Sequence, residues 1–267
     1  MTRRALLRTI AASLVVGGDA AAAADLQDQT QRAYDEYLNR ATQLFIDRAR
    51  RGNVTSGVPG SARASGDRDV SVGPAREDGI LPVPGGLVHH WLGSTFIAGV
   101  TMDDALAVSY DYNAYRSIYK PVIASRLLHR DGNTFQVRLR VKESGGGLSA
   151  TLDVTSRVQY AFPDDGSAYS IATSDEIREI RDAGTANERS LAPGHDSGYL
   201  WRAATFNYLG ARADGVIAET EAIGLSRRFP PFFAWIIEPA ARRLGRTSIE
   251  RSMVEFAQAV RMRARAK

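Results

Sequence analysis

The chain contains no cysteine, so disulfides and a thiolate metal site are excluded and a lipoprotein anchor is not expected. Histidine is almost as scarce, with four in 267 residues. His89 and His90 are adjacent, so in a strand they point to opposite faces and do not easily share one ion. His129 and His195 lie beside expected turns, and no metal or cofactor is implied. Lysine is nearly missing, and arginine carries almost all the positive charge. The chain also lacks a Gly-x-Ser-x-Gly elbow, a phosphate loop and a dinucleotide fingerprint. Asp196-Ser197-Gly198 looks protease-like, but consecutive residues cannot fold back into a hydrogen-bonded triad, and the string reads as a turn. No catalytic residue stands out.

Hydrophobic residues make up 44% of the chain, enough for a real core, and the 24% that are charged suit an ordinary soluble protein. Met1 to Arg8 is basic, Thr9 to Gly18 is mostly apolar, and Ala20 to Ala24 are small. This is the pattern of a cleavable export signal over residues 1–24, cut after Ala24, which places the protein in the periplasm or outside the cell. Its apolar run is far shorter than the roughly 20 residues needed to span a bilayer. Thr2-Arg3-Arg4-Ala5-Leu6-Leu7-Arg8 resembles a twin-arginine signal, and the general secretory route also fits. Cleavage would remove Arg3, Arg4, Arg8 and Asp19 and lower the net charge from +4 to +2. A charge that small, with no aromatic-interleaved basic run, argues against nucleic acid as a partner.

Residues 25–51 have Tyr34, Tyr37, Leu38, Ala41, Leu44 and Phe45 at spacings of three and four, which predicts a helix with one apolar stripe. Residues 52–86 are dense in Gly, Pro, Ser, Arg and Asp and read as a flexible linker. The main domain then occupies residues 87–267. Leu87 to Ala98 suits a strand, and Thr101-Met102-Asp103-Asp104 starts a helix that breaks near Asp111-Tyr112-Asn113. Arg130-Asp131-Gly132-Asn133 is the strongest hairpin signal. Phe135, Val137, Leu139 and Val141 alternate with Gln136, Arg138, Arg140 and Lys142, so one face is buried and one is wet. Further alternating strands follow, with turns at Ser144 to Gly147, Pro163 to Gly166 and Ala213 to Gly215. No βαβ alternation appears, which argues against a doubly wound sheet. Pro239 is expected to kink or interrupt the last helix, and Thr247-Ser248-Ile249-Glu250 reads as a capping box within it. Its stripe is Ile249, Met253, Phe256, Ala257 and Val260.

This order, with the words Trp91-x-Gly93-x-x-Phe96, Asp111-Tyr112-x-x-Tyr115-x-x-Ile118-Tyr119, Asp131-Gly132-x-x-Phe135 and Tyr199-Leu200-Trp201-Arg202, resembles the START-like superfamily from Leu87 to Arg263. That group includes polyketide cyclases, lipid-transfer domains and the birch-pollen-allergen fold. The resemblance implies an α+β helix-grip, a curved antiparallel sheet wrapped around a long C-terminal helix, here with an extra N-terminal helix. It also implies an apolar tunnel that holds a hydrophobic small molecule or lipid. Trp91, Tyr112, Tyr115, Tyr119 and Phe135 are candidates to line that tunnel. So are Leu152, Tyr199, Trp201, Tyr208 and Phe256. Tyrosine combines an apolar body with a hydroxyl that can orient a ligand, although such residues also simply fill cores. Two other readings stay open: a cyclase or aromatase acting on a polyketide-like substrate, and a solid-core protein that docks a partner through its first helix. Arg138, Arg140 and Arg202 with Glu219 and Glu221 read as cross-strand ion pairs on the solvent face, or as a pair at the tunnel mouth that takes an anionic head group. Phe232 to Ile237 could touch a membrane surface transiently, gate the tunnel, or lie buried.

Overall fold

Alternating apolar residues build most of the molecule as one sheet. The computed structural model describes residues 24–52, 70–76, 79–145, 148–228 and 231–267, with 231–242 described by their backbone. The N-terminal half comprises β1 (Ala24–Asp25), α1 (Asp28–Arg50), β2 (Val70–Pro74), β3 (Ile80–Val83), β4 (Gly86–Ala98), α2 (Met102–Tyr110), a 3-10 turn at Tyr112–Ala114 and α3 (Tyr115–Ile118). The sheet continues through β5 (Val122–Asp131), β6 (Thr134–Gly145), β7 (Leu148–Asp164) and β8 (Ser167–Arg181). The two short strands β9 (Arg189–Ser190) and β10 (His195–Asp196) precede β11 (Arg202–Arg212), β12 (Gly215–Arg227) and the C-terminal helix α4 (Pro231–Arg265). The main sheet has ten strands in the order β2-β4-β12-β11-β8-β7-β6-β5, with β3 also beside β4 and β9 beside β8. Every pairing is antiparallel.

The sheet is curved, and α4 lies against β4, β2 and β12. This is a helix-grip layout, an antiparallel sheet packed on a C-terminal helix, as the resemblance implied. Register shifts between Val122 and Ala124, between Leu127 and His129, and between Thr155 and Ser156 bend the outer strands, as extra residues on one strand of a pair do. Thr101 caps α2 by accepting the Asp104 N–H, and Asp104 returns a bond to the Thr101 backbone. Lys267 at the chain end pairs with the same carboxylate, tying the end of α4 to the start of α2. Gly93 lets α4 approach: a Cβ there would stand 2.6 Å from Ile249 Cγ2. Gly93→Ala is expected to lower stability by on the order of 1–2 kcal/mol through overpacking. An unchanged melting temperature in calorimetry would show that the helix can give way.

Several expectations fail here. Within the expected linker 52–86, β2 and β3 run along the free edge of β4, pairing Val70–Pro74 with Trp91–Thr95 and Ile80–Val83 with Gly86–His89. Short strands that cover an edge need few hydrophobes, so their periodic signal is weak. Residues 53–69 of that linker, the export signal up to residue 23, and the turn residues 146–147 lie outside the described residues. So do the side chains of Phe232 to Ile237. The last helix does not break at Pro239, because losing one N–H need not end a helix this long. Thr247 caps nothing: its hydroxyl donates to the Arg243 and Leu244 carbonyls at 2.9 and 3.2 Å inside the continuous helix.

The first helix is not a free docking face. Tyr34, Tyr37, Ala41, Phe45 and Ala49 are buried against Val88, Trp201, Ala204, Phe206, Tyr208, Ile223 and Leu225 of the sheet side that α4 does not cover. Phe45 sits 5.1 Å from the Phe206 ring centroid and 5.8 Å from that of Tyr169. Leu44, expected on the stripe, is 61% exposed, since the contact follows 34, 37, 41, 45 and 49. The sheet is therefore sandwiched between two helices.

Candidate functional site

Between the sheet and α4 lies a cavity of about 440 Å³. Strand parity sets its walls, because residues directly opposed across an antiparallel pair face the same side. Val137, Leu139 and Val141 of β6 and Val154 and Val158 of β7 supply one apolar wall. Leu209 of β11 and Ile249, Met253 and Phe256 of α4 supply another. Tyr112, Tyr115 and Tyr119, from the short helices after β4, close one side.

A seam of hydrogen bonds crosses these apolar surfaces. Tyr160 donates to the Ser109 carbonyl at 3.2 Å, and its hydroxyl lies 3.0 Å from that of Tyr112. Tyr115 donates to the same carbonyl at 2.8 Å. On the sheet floor, Thr220 Oγ1 donates to Asn207 Oδ1 at 2.9 Å, and Asn207 Nδ2 donates to Ser170 Oγ at 3.3 Å. Burial, with neighbouring tyrosines adding to it, pushes the hydroxyls of Tyr112, Tyr115 and Tyr119 well above the usual tyrosine range. Tyr160 is pushed up to about 12, again chiefly by burial. These groups stay protonated at neutral pH and serve as hydrogen-bond donors rather than bases.

Four of the ten candidate residues line this cavity: Tyr112, Tyr115, Tyr119 and Phe256. Phe135 is fully buried behind them, stacked on Tyr110 at 5.3 Å, and supports the tyrosine wall from outside. Trp91 faces α4 but packs against Gly245 and Gly79, away from the cavity. Tyr208 and Trp201 belong to the cluster beneath α1. Trp201 donates its indole N–H to Asp196 at 3.0 Å, while Tyr208 pairs with Tyr169 and Glu219 on the outer side. Leu152, opposite Val141, and Tyr199, in the bend before β11, are half-buried and outside the lining. The valine row was visible as strand alternation. Asn207, Thr220, Ser170, Glu143, Arg251 and Glu255 gave no such signal, because short polar words mark solvent faces as readily as cavity floors.

The expected cross-strand ion pairs form between β6 and β7, though not with the glutamates of β12. Arg138 and Arg140 pair with Asp153 at 2.8 and 2.7 Å, not with Glu219 or Glu221. Arg202 is half-buried and donates to the Trp201 carbonyl. Glu219 and Glu221 are buried beneath α1, each 4% exposed as side chain or residue. Arg48 of α1 reaches down to Glu221, whose other oxygen lies 3.1 Å from His90 Nε2. Tyr37 Oη lies 2.8 Å from His90 Nδ1. A carboxylate only accepts, so Nε2 carries a proton and donates it to Glu221. The loop thus runs α1–β4–β12–α1. Asp196 and Ser197 form the expected turn, with Asp196 accepting the Gly198 N–H at 2.7 Å and Ser197 Oγ donating to Glu179 at 2.9 Å.

No family model and no curated protein matches the sequence. Solved structures do show similarity. A STAR-related lipid transfer protein from Xanthomonas axonopodis is 20% identical, with 72% of this chain and 96% of that one covered and a TM-score of 0.42. The Zhui aromatase/cyclase from Streptomyces sp. R1128 is 18% identical, with 67% and 94% covered and a TM-score of 0.42. Human STARD10 is 12% identical, with 69% and 74% covered and a TM-score of 0.45. The likeness is one of fold.

Proposed function

We propose that this chain is an exported binding protein that encloses a hydrophobic small molecule, lipid or lipid-like, between its sheet and its C-terminal helix. The observation that carries this reading is the cavity of about 440 Å³ with valine, leucine, isoleucine, methionine and phenylalanine walls. An apolar hollow with a few placed polar groups suits a ligand that is mostly hydrocarbon. The tyrosine-bearing segment from Tyr112 to Tyr119 forms one wall and would act as the lid. Holding such a ligand needs no chemical step. Export rests on the basic, apolar and small-residue order of residues 1–24, and implies a mature chain that begins at Asp25.

Native mass spectrometry of the protein purified from an exporting host is expected to show a bound species that organic extraction removes. N-terminal sequencing of the same material should start at Asp25. The variant Ala172→Phe with Val154→Phe places two rings in the hollow and should bind at least tenfold less extractable ligand while staying folded. Recovery of an empty protein that takes up no apolar dye would end the reading.

A further inference from the structure

The cavity has one polar corner, and its charge balance bears on what can enter. Ser248, Arg251, Ser252 and Glu255 recur at helical spacing on the cavity side of α4. Arg251 is the one cation among the described lining residues. Its Nη2 donates to Glu143 of β6 at 2.5 Å, and Ser248 Oγ donates to the same oxygen at 3.3 Å, while its Nε is buried without a hydrogen-bond partner among the described residues.

Glu255 is different. It is 8% exposed, and its Oε2 accepts the Lys120 backbone N–H at 3.3 Å. Its Oε1 is buried and has no hydrogen-bond partner among the described residues. A buried acceptor without a donor is costly, and a charged one more so. The final torsion of a glutamate is broad, so either oxygen can turn toward the hollow it borders. Tyr119, also in the lining, stands close enough for the Glu255 charge to add to the burial and the Tyr160 field that raise its hydroxyl.

Building on the ligand-cavity reading above, we propose that Glu255 determines specificity by accepting a hydrogen bond from the polar end of the ligand. The site then takes a hydrophobic molecule that ends in a donor, a hydroxyl or an ammonium. It disfavours one that ends in a carboxylate or phosphate, because Glu143 and Glu255 outnumber the single cation Arg251 at this corner.

Three probes of one chain length separate these cases: 1-decanol, decylamine and decanoate, each displacing the uncharged dye Nile red from the delipidated full-length protein at pH 7. Decanol and decylamine are expected to displace the dye at concentrations about tenfold lower than decanoate, the ratio that one charge-assisted hydrogen bond supports. Glu255→Gln should bring the three probes within about threefold of one another, and Glu255→Asp, which keeps the charge, should preserve the order. Circular dichroism checks that each variant is folded. Decanoate displacing the dye as well as decanol, or an unchanged order in Glu255→Gln, overturns the proposal while leaving the cavity reading intact. A protein that binds neither dye nor probe removes both.

Discussion

Arg48→Met is expected to destabilise the chain by about 3–5 kcal/mol, the range for removing one partner of a buried ion pair. The guanidinium is the group that α1 lends to Glu221, whose side chain is 4% exposed and otherwise bonded to His90. Without it the carboxylate stays buried beside a second glutamate. Replacing both ends, Arg48→Met with Glu221→Gln, should restore part of the loss, since the stranded charge is then gone. Arg48→Lys should fall between, because an ammonium cannot reproduce the planar fork. Urea denaturation of the four proteins measures this directly. A midpoint for Arg48→Met equal to that of the parent would mean that the first helix is not anchored through this pair.

Stability is expected to fall by about 2 kcal/mol between pH 6.5 and 8, at 1.36 kcal/mol per pH unit of unmatched titration. Glu219 lies on the outer side of β12 with Glu221, opposite Tyr208 of β11 and Ser94 of β4, and below Arg48 of α1. Burial, and then the neighbouring Glu221, raise its carboxyl to about 8 against the opposing pull of Arg48 and Arg212. A carboxyl raised on folding keeps its proton longer in the folded chain than in the unfolded one. Its contribution is complete below about pH 4.5 and is lost as pH rises through 8. His89 works in the other direction: burial lowers it from 6.5 to about 4, so stability drops as acid protonates the unfolded imidazole first. The two slopes oppose each other from 4.5 to 6.5, and above that the Glu219 slope is no longer opposed by His89. Glu219→Gln should abolish the alkaline fall and be more stable than the parent at pH 8.5 by on the order of 3–5 kcal/mol. A flat profile from pH 6.5 to 8.5 in the parent would rule out a neutral Glu219 in the folded state.

Local signals were legible where local physics dominates. The hairpin at Gly132 was readable because a backbone with φ of 54° favours glycine there. The start of α2 was readable because Thr101 and Asp104 satisfy each other three residues apart. The edge strands β2 and β3 were not, since a segment rich in glycine and proline has little alternation to show. The unbroken α4 was hidden for the opposite reason. Pro239 and Thr247-Ser248-Ile249-Glu250 both carry end signals, yet Ile249, Met253, Ala257 and Val260 bury the helix against the sheet and carry it through.

The residues themselves determined that an antiparallel sheet forms, that a closing helix presents Ile249, Met253, Phe256, Ala257 and Val260 on one side, and that tyrosines follow the first long strand. A period of two says which side chains share a face, and nothing in it says what covers that face. Tertiary structure decided this when α1 covered the outer side of β11 and β12, which buried both faces. Tyr208 and Trp201 then belong to the α1 contact, while Asn207 and Thr220, their polar neighbours on the opposite side, floor the cavity. The same choice took Glu219 and Glu221 out of water, because burial depends on what packs above a residue and not on the residue alone.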